Sequence, residues 1–232
     1  MKDQTIEAGF DRKRVFVQAK SRQCMHHGAA FRALDCWLRG RQHHAVRLLD
    51  IGCGTCEDMV GLLRATPVAG YVGVDVDAEA LERARTFLAP LATPWRLEYT
   101  RFEAIMASKT PECDVIWMGL FLHHLPAAAK QDFFVRAGRI LPAGGAVIAH
   151  DPMPGEGERK EDFQRRLLQG ASWSFLDADE REILYEHFSR GHPEPYPALS
   201  RYAAAGGLTA APLFRDPDQE YAVISFTKSP CP

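Results

Sequence analysis

The segment Asp50-Ile-Gly-Cys-Gly-Thr55 sets two glycines beside polar side chains directly after an apolar run. Glycines at 52 and 54 lack the Cβ atoms that would keep a ligand off the backbone, and both tolerate positive φ. Roughly 20 residues on, the usual distance for a ribose-binding acid, stands Asp75. A carboxylate there can accept hydrogen bonds from ribose hydroxyls. A dinucleotide would need its pyrophosphate at the next helix N-terminus, usually beside a third glycine. Glu57 holds that position, with Asp50 and Asp58 close by. So acidic a loop disfavours phosphates, and hence an NAD-dependent oxidoreductase, and suits a cationic ligand with an amino acid tail.

Histidines form the second group. His123 and His124 follow one apolar run, and His150 and Asp151 end another. Neutral imidazole near physiological pH can take a proton from a hydroxyl or an amine. Capping and loop hydrogen bonding are the plainer roles, and both readings stay open. Cys53 and Cys56 spell C-x-x-C, but no second cysteine pair stands at partner spacing. We therefore expect neither a redox couple nor a metal site there, and no metal elsewhere.

The elements that must position these residues follow from hydrophobic periodicity. Residues Ile6 to Gly40 read as helical, with Phe31, Leu34, Trp37 and Leu38 at helical spacing. Strands are expected at 47–51, 71–75, 96–100, 114–118 and 146–149. The helices between them open with a Thr55/Asp58 capping-box pair, with Asp77 and with Pro126. Strands alternating with helices imply a parallel sheet covered on both faces and wound right-handedly. The rhythm breaks after His150 and returns as strands 208–214 and 221–226 around Arg215-Asp-Pro-Asp218, an antiparallel hairpin.

The expectation is one α/β domain with a doubly wound, seven-stranded, mostly parallel sheet, a C-terminal antiparallel hairpin and a helical lid insertion. Its parts are N-terminal helices over a cofactor (1–44), a cofactor-binding core (45–150), a substrate lid (151–205) and a closing hairpin (206–232). Trp173, Phe175, His187, Tyr196 and Tyr202 could form an aromatic wall in the lid. The apolar share is 46% and the charged share 25%, ordinary globular values. A net charge of -2 argues against a nucleic-acid partner. Six scattered cysteines, no secretory signal and no long apolar segment fit a reduced cytoplasmic protein without a membrane partner, as a monomer or homodimer.

Five segments in order resemble the class I S-adenosylmethionine-dependent methyltransferases. They are Leu48-Leu-Asp-Ile-Gly-Cys-Gly-Thr55, Gly73-Val-Asp-Val-Asp-Ala-Glu-Ala-Leu81, Leu97-Glu-Tyr-Thr-Arg-Phe-Glu-Ala104, Cys113-Asp-Val-Ile-Trp-Met-Gly-Leu-Phe-Leu-His-His-Leu125 and Leu141-Pro-Ala-Gly-Gly-Ala-Val-Ile148. The resemblance implies S-adenosylmethionine as cofactor and S-adenosylhomocysteine as product. It places Asp50, Gly52, Cys53, Gly54 and Thr55 along the methionine part, Asp75 on the ribose and Val76 on the adenine. Glu103 falls where the family often has an aspartate for the adenine amino group, and Phe102 stands where it usually has glycine. Met118 and Gly119 would lie near the methionine or the reacting methyl. The implied acceptor is an oxygen or nitrogen of a small molecule, since no Asn/Asp-Pro-Pro-Tyr sequence follows the fourth strand. His124, His150 or Tyr196 would be the base, where one is needed. A non-catalytic relative, or one that transfers another group, is the alternative.

Overall fold

The computed structural model describes residues 14–41, 46–66, 68–107 and 113–229. Seven strands form one sheet: β1 (Val46–Ile51), β2 (Val68–Asp75), β3 (Trp95–Tyr99), β4 (Val115–Gly119), β5 (Ala146–Pro152), β6 (Leu208–Arg215) and β7 (Tyr221–Lys228). Their order is β3-β2-β1-β4-β5-β7-β6. Strands β1 to β5 pair in parallel, and β7 runs antiparallel to both β5 and β6. The doubly wound sheet with its closing hairpin is thus the expected one. Winding reverses between β1 and β4, which opens a crevice at their carboxyl ends.

Helices cover both faces: α1 (residues 14–21), α2 (His27–Arg39), α3 (Glu57–Ala65), α4 (Ala78–Leu88), α5 (Phe102–Ala107), α6 (Ala127–Ile140), α7 (Lys160–Gln169), α8 (Ala178–Ser189) and α9 (Tyr196–Ala205). Side chains alternate along a strand, so each buried strand feeds two cores. Val115 and Trp117 of β4 join Leu34 and Leu38 of α2 and Leu62 of α3. Ile116 and Met118 point the other way, to Phe133 and Phe134 of α6 and Leu199 of α9. Strand β5 divides likewise, Ala146 and Ile148 against Val147 and Ala149.

A third cluster builds a helical cap. Val15 and Ala19 of α1 pack with Phe163 and Leu167 of α7, Leu184 of α8 and the fully buried Trp173. Leu120, just past β4, packs against this cap and so places it at the carboxyl edge of the sheet. Among the described residues no helix is long and apolar enough to cross a membrane.

Two expectations change. The helix expected over 6–40 is broken at residues 22–26, where Gln23 (φ 59°) and His26 (φ 53°) are left-handed; residues before 14 lie outside those described. The break is required because α1 packs into the cap while α2 packs on the sheet. The segment 151–205 also divides. Strand β5 continues to Pro152, and α9 lies on the sheet with α6, so the cap takes only α7, α8 and their connection from this stretch.

The α6–α9 contact depends on bare backbone. A Cβ on Gly138 would lie 1.8 Å from the Gly206 carbonyl oxygen, and one on Gly206 would lie 2.2 Å from that of Phe134. Gly138→Ala should therefore destabilise by about 1–3 kcal/mol or more. At roughly 2–4 °C per kcal/mol the loss is visible in a thermal melt. An unchanged midpoint would mean that the two helices are not in this contact.

Candidate active site

Strand β1 ends where Gly52 turns left-handed (φ 76°) and the N–H groups of Gly52 and Cys53 both donate to the Val74 carbonyl, at 2.8 and 3.1 Å. Gly54 (φ 53°) and Cys56 (φ 56°) are left-handed too, so α3 starts only at Glu57. The helix expected from Thr55, with its Thr55/Asp58 capping box, is absent. Cys56 holds the N-cap position and makes no side-chain cap. The cause is Asp75, whose Oδ2 accepts from the Gly54 N–H at 2.8 Å and holds the loop across the ends of β1 and β2. Its Oδ1 accepts from Val76 and Asp77, at 2.7 and 2.9 Å. A carboxylate offers about four acceptor sites, and three are taken, which leaves one for a ligand hydroxyl.

Two cavities meet at Gly52 and Gly119. The first, about 200 Å³, runs along Asp50, Cys53, Gly54, Thr55, Trp117 and His150, and is closed by Lys20, His27 and Phe31 from the N-terminal helices. The second, about 420 Å³, is lined by Asp75, Val76, Phe102, Glu103, Phe121 and His124. A third of about 370 Å³ lies under the cap, between Phe16, Leu120, His123, His124, His187 and Phe188. It shares Leu120 and His124 with the second cavity, and Lys20 and His27 with the first. Leu120 holds a left-handed conformation (φ 53°) with its N–H on the His150 carbonyl at 2.7 Å. A non-glycine residue there is strained by roughly 1–3 kcal/mol, and such strain gathers at functional sites.

The structure brings twelve of the fourteen expected site residues to these cavities and leaves two out. Met118 is sealed in the core, because its neighbour Trp117 takes the side of the strand that faces the first cavity. Tyr196 opens α9 on the sheet, and its hydroxyl donates to the Ala210 carbonyl at 3.1 Å. The aromatic wall reduces to His187. Trp173 is fully buried, Phe175 stacks under Arg22, and the Tyr202 hydroxyl donates to Glu194.

One comparison says what this site is similar to. Residues 48–145, from β1 to the turn before β5, match a family of methyltransferase domains. Over this stretch, a little less than half of the chain, the sequence is similar to methyltransferase domains. No curated protein is similar enough in sequence to count as a relative. Among solved structures, a candidate exported protein from Bordetella parapertussis superposes with a TM-score of 0.63 at 20% identity, over 88% of this chain and 67% of that one. An O-methyltransferase family protein from Burkholderia thailandensis gives 0.61 at 14%, over 96% and 59%. Human N-acetylserotonin methyltransferase, solved with S-adenosylmethionine, gives 0.56 at 13%, over 78% and 47%. This chain thus spans about half to two thirds of these neighbours, and at such identities the likeness is one of fold.

The charges around the cavities are arranged differently from the sequence expectation. Lys20 pairs with Glu57 at 3.1 Å and Asp58 at 2.9 Å, so a cation from α1 balances the acidic loop. The acid left facing the first cavity is Asp50, buried beneath a hydrogen bond from the Tyr71 hydroxyl at 2.7 Å. Burial pushes its carboxyl up to about 7, against the Tyr71 bond, and the Asp75 charge adds to the rise. Burial also lowers His150 to about 3, with His27 and His26 adding to it, so its ring is neutral. Glu103 sits by Arg101 at 3.3 Å, and Phe102 packs edge-on against Phe121 and Phe133.

Sequence reasoning missed Lys20, His27 and Trp117 as cavity-lining residues. His27 and Phe31 are four apart on one helical face, which was a usable signal, whereas Lys20 arrives through tertiary packing alone.

Asp50 gives a signed pH dependence. Its folded value lies above that of the unfolded chain, so its ionisation costs nothing below about pH 4 and destabilises the fold as pH rises through about 7. Asp50→Asn removes that cost. Denaturation of the two ligand-free proteins between about pH 5 and pH 8 should show the variant gaining on the wild type as pH rises. Parallel curves would mean that Asp50 is ionised throughout.

Proposed function

We propose that the protein transfers a methyl group from S-adenosylmethionine to an oxygen or nitrogen of a small molecule held under the cap. The observation that carries this reading is the glycine loop tied to Asp75 at the switch point, in a cavity that adjoins a third one walled in part by Phe16, Leu120 and Phe188. The residues present suit the cofactor. Gly52 and Gly54 form a cradle, and a Cβ on Gly52 would meet the Phe121 ring at 2.6 Å. Val76 offers an exposed apolar surface beside Asp75 for a flat ring. His150 lines the cavity with a buried Nε2 that has no hydrogen-bond partner among the described residues, an acceptor suited to an ammonium N–H.

When bound, the cofactor supplies an already activated methyl group, so the chain's task is orientation and exclusion of water. Phe16, Leu120 and Phe188 supply the dry wall. His124 is lowered to about 4, first by burial in the cleft and then by His123 and His187. His124 and His150 are therefore neutral hydrogen-bond acceptors at physiological pH, better fitted to orient an O–H or N–H than to strip its proton.

Thermal unfolding with S-adenosylmethionine, S-adenosylhomocysteine and NAD in parallel tests the reading. A ligand at about 100 times its dissociation constant stabilises by ~2.7 kcal/mol, a rise of roughly 5–10 °C for this size. The two adenosyl ligands should give that rise and NAD should not. Gly52→Ala and Asp75→Ala should abolish it. A shift with NAD alone would overturn the proposal, and no shift at all would favour a relative that does not bind the cofactor.

A further inference from the structure

His123 and His124 lie in a short 3-10 turn after β4, and His187 comes from α8 in the cap. One ring nitrogen from each lies within 4.8 Å of the other two. The rings of His123 and His124 stand 4.0 Å apart between centroids, and those of His124 and His187 5.9 Å apart. All three line the third cavity. Buried Asp151, from β5, is 2.8 Å from Nδ1 of His123. In the tautomer with Nδ1 protonated, that N–H donates to the carboxylate and the lone pair stands on Nε2. A carboxylate behind an imidazole is the arrangement that orients and strengthens a metal-bound histidine.

Three imidazole nitrogen donors suit zinc or a similar borderline divalent ion, and three protein ligands leave a position open. Around a tetrahedral zinc, nitrogens about 2.0–2.1 Å from the ion lie roughly 3.3 Å from each other. His124 is exposed and His187 half-buried, so turns of these two rings can close the cluster while Asp151 holds His123 still.

We propose that His123, His124 and His187 bind a divalent transition-metal ion of the zinc type, whose open position faces the third cavity and takes an oxygen or nitrogen donor of the methyl acceptor. The metal site stands on its own geometry, and only the role toward the acceptor rests on the methyl-transfer reading. The ion also joins the β4 loop to the cap, so its binding raises the stability of the ligand-free protein. Spacing along the chain could not reveal this site, since His187 lies far from the pair and reaches it only through the cap.

Tag-free protein stripped with a chelator and titrated with cobalt(II) should take up one equivalent with visible ligand-field bands of four- or five-coordination, and zinc should displace it. His187→Ala should abolish the bands. His124→Ala, at an exposed position, should do so without loss of circular dichroism, which keeps the test decisive if the His187 variant fails to fold. Asp151→Asn should weaken zinc binding by about 10–100-fold. Absence of the cobalt spectrum in the wild type would overturn the proposal. So would a spectrum unchanged by His124→Ala, which would put the ion elsewhere. The cobalt result is independent of any response to adenosyl ligands, so the two readings fail separately.

Discussion

The Asp75 carboxylate accepts hydrogen bonds from the N–H of Gly54 on one side and from those of Val76 and Asp77 on the other. It thereby ties the loop after β1 to the turn after β2. Hydrogen bonds to an ionised carboxylate are about twice as strong as neutral ones, so this knot can hold three left-handed residues in a row of five. The delayed start of α3, the opening between Gly52 and Gly119 and the exposure of Val76 all depend on it. Asp77, positioned by the same knot, then caps α4 through the N–H groups of Glu79 and Ala80.

Around this knot the cleft is lined by groups that burial keeps near neutrality. Asp50 is raised to about 7, while His150 and His124 are lowered to about 3 and 4. Tyr71 donates to Asp50, and the Cys56 thiol lies 3.2 Å from the same hydroxyl, so the buried acid ends a small polar network under the glycine loop. A cationic ligand entering here would draw Asp50 to its ionised form. Lys20, the nearby cation, is already engaged with Glu57 and Asp58.

The doubly wound sheet, its closing hairpin and the glycine loop were legible because they follow from local signals: apolar runs of strand length, Asp77 as a cap and two glycines after a strand. Errors arose where tertiary contacts outweighed local preference. Thr55 and Asp58 have the spacing of a capping pair, but Asp75 holds Gly54 away from helical geometry. Met118 and Trp117 are adjacent apolar residues of one strand, and only the packing of α2 and α6 decides which one meets the cavity. Tyr196 sat in a segment expected to form the lid, and glycines at 138 and 206 bring its helix down onto the sheet instead. Lys20 reaches the cleft through the α1–α7–α8 cap, whose assembly leaves no periodic trace near the motifs.

The most direct test of the account is a structure of the protein with S-adenosylhomocysteine bound. We predict the amino acid end between Gly52 and His150, with Nε2 of His150 gaining a donor. The ribose should lie on the free acceptor site of Asp75 while the Gly54 bond persists, and the adenine should lie over Val76. A ligand held elsewhere, or a loop released from Asp75 when the site is filled, would contradict the account.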